Sequence, residues 1–176
     1  MRITMTVLNL VDAKDPILHT PVEPFDPQSV DLEQIVADMF ETMYHYKGVG
    51  LSANQVGLPH RLFVMGTPEM ELVFINPTIT SYNEEKVYAE EGCLSYPHTW
   101  VKVKRPTEVR VRSTNMHGDT SAQLYKGMTA RIIQHEYDHL QGETHLSKAT
   151  RYHRDQALRK ANRLRKRSNL ALNQVG

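Results

Sequence analysis

The sequence predicts a mixed fold of helices and short strands around one core. Residues 32–44 carry apolar side chains at helical spacing, and a second helix is expected from about residue 128 to residue 140. Short apolar or alternating runs lie between these two segments, as is typical of strands. The length of 176 residues suits one domain with a sizeable core.

The N-terminal residues 1–27 are expected to wrap over this body, because four prolines keep them extended or turning. The first helix follows. Asp31 and Gln34 resemble a capping box at its start, and Gly48 is expected to end it. Its apolar stripe, which we interpret as core, consists of Leu32, Ile35, Val36, Met39, Phe40, Met43 and Tyr44.

Short strands are predicted between the two helices, the first two from apolar runs bounded by Gly and Pro, and others from the alternation typical of half-buried strands. The candidate strands are residues 61–65, 72–75, 87–90, 100–103, 107–112 and 123–125. Residues 115–119 are predicted to form a turn.

The C-terminal segment is strongly basic. From residue 148 onward the protein holds nine lysines or arginines and one acid, a net charge of +8, whereas residues 1–147 hold twelve bases and nineteen acids, a net charge of −7. A helix over residues 148–167 would carry a narrow apolar edge of Ala157, Leu158, Ala161 and Leu164, with fraying after Ser168. We expect two units, residues 1–147 and a tail of residues 148–176. The tail is either a polyanion contact or a solvated helix docked by its thin edge.

Residues 134–139 contain the pattern His-Glu-x-x-His. On a helix, His135 and His139 lie on the same face one turn apart, so both can bind one metal ion, with Glu136 beside them as a candidate base. The alternative is a surface helix with two unrelated histidines. Apolar neighbours and a plausible C-cap at Gly142 indicate a buried helix, where unpaired polar groups cost several kcal/mol. A metal ion is the simplest explanation.

Cys93 is the only cysteine, which excludes an intrachain disulfide and fits a reducing compartment. A lone cysteine can be a small buried hydrophobe, a nucleophile or a metal ligand. No apolar run approaches the roughly 20 residues of a membrane-spanning helix. The apolar patch at residues 7–11 is too short for a signal peptide. We therefore expect a cytoplasmic protein without a membrane partner.

Three segments occur in one order: GVGLSANQ at residues 48–55, EGCLS at residues 91–95 and QHEYDHL at residues 134–140. Together they resemble the peptide deformylase family, which carries Gly-Φ-Gly-Φ-Ala-Ala-x-Gln, Glu-Gly-Cys-Φ-Ser and Gln-His-Glu-x-Asp-His-Leu. The one departure is Ser52, where alanine is usual, and we expect it to have little effect. The resemblance spans most of residues 12–150.

The resemblance implies an α+β fold in which the motif helix lies between small, mostly antiparallel sheets, with an N-terminal helix and a basic C-terminal helix. It also implies one divalent metal ion bound by Cys93, His135 and His139, with water as the fourth ligand. The family favours ferrous iron, and zinc, nickel or cobalt can substitute. Three protein ligands and one open position are typical of catalytic sites, and a thiolate suits iron or zinc.

The implied activity is hydrolytic removal of the formyl group from the N-terminal N-formylmethionine of nascent polypeptides, with release of formate. Glu136 would be the general base. The side-chain amide of Gln55 and the backbone N–H of Leu94 would donate hydrogen bonds to the developing oxyanion. In some bacterial members a C-terminal helix contacts the ribosome, so rRNA is the candidate partner of the tail.

Substrate contacts are also implied by the resemblance. Val49 and Gly50 would supply backbone contacts to an extended peptide, and Gly92 the opposite wall. Candidates for the pocket of the methionine side chain are Val49, Leu94 and Ile132, each of which could equally be a core residue. Trp100 lies where family members vary, and it either lines the outer cleft or anchors a strand.

Other function classes fit parts of the sequence. A metallopeptidase would take its third ligand from Glu143, His145 or His153 and would not need Cys93. A non-catalytic, metal-stapled RNA-binding module would depend on the tail and not on Glu136. A thiol enzyme with a Cys93–His pair would be blocked by alkylation and not by chelators.

Overall fold

The computed structural model describes residues 4–172, with side chains up to residue 169, and places four α-helices and seven strands in that range. The helices are α1 (Leu32–His45), α2 (Gly127–Leu140), α3 (His145–Lys148) and α4 (Arg151–Leu172). The strands are β1 (Gly50–Ser52), β2 (Leu62–Thr67), β3 (Met70–Tyr82), β4 (Lys86–Cys93), β5 (Tyr96–Pro106), β6 (Glu108–Thr114) and β7 (Thr120–Lys126).

Two antiparallel sheets enclose the motif helix. A five-stranded sheet has the order β1-β2-β3-β6-β7, and β4 and β5 form a two-stranded sheet. Helix α2 contacts β1, β2, β6 and β7 on one side and β5 on the other. The expected α+β fold, with the motif helix between small antiparallel sheets, is confirmed.

Strands β2 to β7 extend, at one end or both, beyond the runs that predicted them, because polar residues at their ends continue the pairing, and the short strand β1 was not among the candidates. The longest extension is in β3, where the register shifts between Ile75 and Thr78. Asn76 has a φ of 47° within this irregularity. Pro77 follows it, at a position where proline does not interrupt a regular ladder. The predicted turn at residues 115–119 is confirmed by hydrogen bonds between Asn115 and Asp119.

The N-terminal segment wraps over the body as expected. The Leu8 N–H donates to Thr42 Oγ1 on α1, and the Val22 N–H donates to the carbonyl oxygen of Leu140 at the end of α2. The core has two main parts. One joins α1 to β1 and β2. The other joins α2 to the large sheet through Phe63, Phe74, Val109, Val111, Ala130, Ile133 and Leu140.

The end of α1 differs from the prediction. Lys47, and not Gly48, has the left-handed conformation, with a φ of 57°. The Lys47 N–H donates to Tyr44 O and the Gly48 N–H donates to Met43 O, which together form a Schellman motif. Gly48 instead lies against Leu94, because a Cβ there would be 2.8 Å from Leu94 Cδ1 and the leucine side chain would have to shift.

The cap predictions at the other helix ends are partly confirmed. Asp31 Oδ1 accepts from the Gln34 N–H at 3.2 Å, but the Gln34 amide donates to Thr4 O and Asp38 instead of completing a capping box. Gly142 has a φ of 71° just after α2, as expected for a C-cap glycine.

The helix of the basic tail begins and ends later than predicted. Lys148 ends the separate helix α3 and Ala149 is extended, so α4 begins only at Arg151. Helix α4 continues to Leu172, past the predicted end at residue 167 and the expected fraying after Ser168, and residues 173–176 lie outside the described range. Ala157 and Ala161 of the predicted apolar edge are buried, whereas Leu158 and Leu164 stay exposed. The division at residue 148 stays a prediction. Within residues 4–172, no helix is long and apolar enough to span a membrane.

Arg61 is a buried cation whose hydrogen bonds go to backbone carbonyls. The residue is only 8% exposed, and its side chain donates to the carbonyl oxygens of Val22, Pro77 and Leu140 at 2.9 to 3.3 Å. Leu140 ends α2, where the helix dipole favours a positive charge. Arg61 therefore joins the N-terminal segment, the irregularity in β3 and the motif helix.

We predict that Arg61→Ala lowers the free energy of unfolding by about 3 kcal/mol, because three buried carbonyls lose a charged donor. Urea denaturation followed by circular dichroism would measure the change. Arg110→Ala is the control, since Arg110 is exposed on β6 and its loss should change stability by at most about 0.5 kcal/mol. Equal losses in both variants would contradict the role given to Arg61.

Candidate metal centre

Three potential metal ligands converge between the two sheets. Cys93 is the last residue of β4, and His135 and His139 lie one turn apart on α2. Their ligand atoms lie within 4.8 Å of one another, and Cys93 Sγ is 3.2 Å from His139 Nε2. Within the described part of the protein this is the one such group of three. One thiol and two imidazoles fit a divalent transition metal with an open fourth position.

The two histidines differ in their protonation. Burial first, and then the neighbouring His135 and His145, hold the pKa of His139 well below its ordinary value, so its ring is neutral and can bind a cation. Burial also lowers the pKa of His135, but the neighbouring Cys93 and Glu91 outweigh it and raise that pKa overall. A cation bound here would therefore displace a proton from His135.

Glu91 orients His135 from behind. The Nδ1 of His135 lies 3.1 Å from Glu91 Oε2, and we assign the proton to Nδ1, which directs Nε2 at the cluster. Arg105 donates to both Glu91 oxygens, at 2.6 and 2.9 Å, and Arg131 donates at 2.7 Å. Burial alone would raise the pKa of Glu91, but the hydrogen bonds from His135 and Arg105 hold it well below its usual range.

Arg105 extends this network to the motif helix. Its third nitrogen donates to Asp138 Oδ2 at 2.8 Å, so one guanidinium connects β4, β5 and α2. The sequence-based interpretation gave no role to Glu91, Arg105 or Asp138. The alternation in β5 could have indicated Arg105, because it is in phase with the buried Val101 and Val103 and a buried arginine requires a carboxylate.

The carboxylate of Glu136, the second residue of the His-Glu-x-x-His pattern, is held in place by a hydrogen bond. Ser52 Oγ donates to Glu136 Oε2 at 2.7 Å, a contact missed by our expectation that serine in place of alanine has little effect. Gly50 provides the space, because a Cβ there would lie 2.5 Å from Glu136 Oε1. Burial raises the pKa of Glu136, while His135 and Ser52 oppose that shift.

Gln55 presents a neutral donor beside the thiol. Its Oε1 accepts from the Ser52 N–H at 2.9 Å, so its amide nitrogen faces Ser95 Oγ at 3.0 Å and Cys93 Sγ at 3.6 Å. Asn54, from the same motif, donates to the carbonyl oxygen of His139 at 2.7 Å. The first and third motifs are therefore in direct contact.

An open cleft of about 590 Å³ runs past the cluster. Strand β1 stands at the edge of the large sheet next to it. All residues predicted to take part in catalysis or substrate binding line the cleft: Val49, Gly50, Gln55, Gly92, Leu94, Ile132 and Glu136. Tyr46 and Met128 also line it and were not predicted as site residues, and Trp100 lines it in agreement with one of the two roles expected for it.

The alternative third ligands of a metallopeptidase are not part of the cluster. His145 is buried with its Nε2 3.2 Å from the carbonyl oxygen of Thr99, and Glu143 accepts from Ser147 Oγ. The ring of His153 lies beside Tyr88. Among the described residues, the cluster includes Cys93 and none of these three.

Comparisons with known proteins agree with this geometry. The model of the polypeptide deformylase family matches residues 7–155. A peptide deformylase of Rhizobium meliloti is 38% identical over 164 residues, covering 89% of this chain and 92% of the relative.

Two solved structures have the same fold. A peptide deformylase from Synechococcus elongatus in complex with actinonin has a TM-score of 0.83 at 33% identity, covering 88% of both proteins. A Met-Ala-Ser-bound class I type b peptide deformylase from Acinetobacter baumannii has a TM-score of 0.78 at 30% identity, covering 82% of this chain and 99% of that one. The chain belongs to the polypeptide deformylase family of metal-dependent hydrolases.

Proposed function

We propose that this protein removes the formyl group from the N-terminal N-formylmethionine of nascent polypeptides and releases formate. The observation that carries the proposal is the convergence of Cys93, His135 and His139 in a cleft whose wall holds the buried carboxylate of Glu136. Water is added across the amide bond, which leaves formate and a free amine. A cytoplasmic location belongs to the same proposal, because formylated polypeptides emerge from ribosomes.

The donor set supports one divalent cation held by Cys93, His135 and His139. His139 is neutral, His135 is oriented by Glu91, and a thiolate would offset part of the ion's charge. When bound, such a cation acidifies water and polarises a carbonyl oxygen. The donor types suit ferrous iron, zinc, nickel or cobalt, and we propose ferrous iron as the native metal on the basis of the family resemblance.

Glu136 is the proposed general base. It takes a proton from the attacking water and later transfers it to the nitrogen of the leaving methionine. The pKa of Glu136 is raised toward neutral pH, so the carboxyl group can both accept a proton and give it up. Ser52 holds one oxygen by a hydrogen bond, so the carboxylate has a defined orientation in the cleft wall.

Gln55 and Leu94 are the proposed donors to the oxyanion. The Gln55 amide nitrogen lies beside Cys93, and its orientation is fixed by the Ser52 N–H bound to its carbonyl oxygen. Leu94 follows Cys93 and lines the same cleft. Neutral donors that are positioned before the reaction stabilise developing negative charge without reorganisation.

An extended peptide would lie between β1 and Gly92. Strand β1 pairs with β2 on one side only, so an extended peptide can add to its other side. Val49 is 56% exposed in the cleft. Its carbonyl oxygen accepts from the Gly66 N–H of β2, and this bond holds Val49 at the edge of the sheet. Val49, Leu94 and Ile132 would line the methionine pocket. The Met-Ala-Ser peptide bound to the Acinetobacter baumannii relative supports this class of ligand.

We predict that Glu136→Gln lowers kcat by about a hundredfold or more, because the amide cannot accept the proton. Formate release from formyl-Met-Ala-Ser by the metal-loaded enzyme would measure the effect. Glu143→Gln is the matched control, since Glu143 lies seven residues on and outside the cleft. Undiminished release by Glu136→Gln would exclude its role as base. No release by the wild type would favour the non-catalytic module.

We predict that Cys93→Ser removes most of the bound metal, because a serine hydroxyl is a weak ligand for iron, zinc or nickel. Metal content would be measured by mass spectrometry after nickel loading and dialysis, beside the controls His153→Ala and Glu143→Gln. Retention of metal by Cys93→Ser, with loss from either control, would instead support the metallopeptidase.

The tail is the proposed contact to ribosomal RNA. The small residues Ala157 and Ala161 of α4 are buried, and the charged side chains of Arg159, Arg163 and Lys166 are in exposed residues. This orientation leaves the positive charge of the helix available to phosphates. Each phosphate contact releases counterions, so the association would weaken steeply with salt.

We predict that the triple variant Arg163→Glu, Lys166→Glu, Arg167→Glu weakens co-sedimentation with ribosomes and reduces the slope of log affinity against log salt by about 3. The matched control exchanges three exposed bases of the sheets, Lys86→Glu, Arg110→Glu and Arg112→Glu. Both would be compared at about 50 and about 200 mM salt. The same loss in both triple variants, or in neither, would contradict a specific role for the tail.

A further inference from the structure

Trp100 is a large apolar side chain that the core does not use. It is the only tryptophan of the protein, it is 58% exposed, and it lines the cleft beside the metal centre. Leaving so much apolar surface in water forgoes stabilisation that burial would supply. An exposed tryptophan in the wall of a peptide cleft therefore requires an explanation.

Strand anchoring does not supply that explanation. The neighbours Thr99 and Val101 are 5% and 1% exposed, and Val103 is 1% exposed, so alternate residues of β5 already fix the strand to the body. Trp100 points to the opposite face. Its side chain is thus not needed to hold β5 in place.

The indole packs against the backbone of Gly92. A Cβ at Gly92 would lie 3.0 Å from each of three indole carbons, Cε2, Cζ2 and Cη2, so any larger residue would displace the ring. Gly92 precedes Cys93 and is the proposed wall for the peptide. The indole therefore extends that wall with a flat apolar surface that remains open to the cleft.

We infer that Trp100 is a specificity-determining residue that contacts one of the substrate residues following the formylmethionine. This inference rests on the proposed function. The preferred substrate residue has an aromatic or large apolar side group, because an indole face offers dispersion contacts and offset stacking to such groups. Alternate side chains of an extended peptide point to opposite sides, so the contact is made at either the second or the third residue.

The first test compares substrates. The value of kcat/KM would be measured for formyl-Met-Phe-Ala and formyl-Met-Ala-Phe relative to formyl-Met-Ala-Ala. In the wild type one phenylalanine peptide should be preferred by about fivefold, since one partly buried apolar group gives discrimination of roughly this size. The preference should disappear in Trp100→Ala and persist in part in Trp100→Phe.

Lys102→Ala is the matched control, because Lys102 is exposed on the same face of β5 two residues further on and does not line the cleft. It should keep the wild-type preference. If the relative kcat/KM of each phenylalanine peptide is the same in Trp100→Ala as in the wild type, the inference is overturned. Thermal unfolding of each variant would show whether the protein is folded.

The second test does not depend on turnover. All tryptophan emission comes from Trp100, so unformylated Met-Phe-Ala and Met-Ala-Phe can be titrated into the metal-loaded wild type while emission is recorded. A saturable shift to shorter wavelength is expected as the peptide excludes water from the indole. If calorimetry detects binding and the emission does not change, this inference is overturned, whereas the proposed function is not. Absence of formate release from every peptide would count against the proposed function.

Discussion

The buried carboxylate of Glu91 is the constraint on which the site depends. It accepts hydrogen bonds from Arg105, Arg131 and His135 in a region where all four side chains are nearly inaccessible. Buried charges are tolerated only when they are paired and hydrogen-bonded, and removing one partner leaves the others uncompensated. The two-stranded sheet can therefore meet α2 in only one relative position, the position in which these four groups make contact.

That position assembles the metal centre. Glu91 and Cys93 belong to the same strand, and the pairing of β4 with β5 shifts register between them. Such irregularities re-aim side chains next to active sites. The strand is held by Glu91 against His135, so the thiol two residues on reaches the two imidazoles. The base is positioned from the other sheet, because Ser52 and Gly50 of β1 enclose the carboxylate of Glu136.

The sequence predicted those features that depend on the spacing of residues within one helix. The four-residue interval places His135 and His139 on one face, and the apolar stripe of α1 is core. Pairings across long intervals were not predictable in this way. Arg105 meets Glu91 and Asp138 across 14 and 33 residues, and nothing local in the sequence specifies those partners. The left-handed Lys47 was missed because glycine is the usual residue at that position.

Strand β5 links the tail to the centre through its buried face. Val101 and Val103 pack with Ala157 of α4, and Arg105 holds Glu91. Trp100, on the other face, lies in the cleft. Removing α4 would expose the two valines and loosen the strand that carries Arg105, so a truncated protein would change both the tail and the centre. Charge exchanges on the exposed face of α4 leave this packing in place, and they are therefore the change that can separate a role in partner binding from a role in supporting the fold.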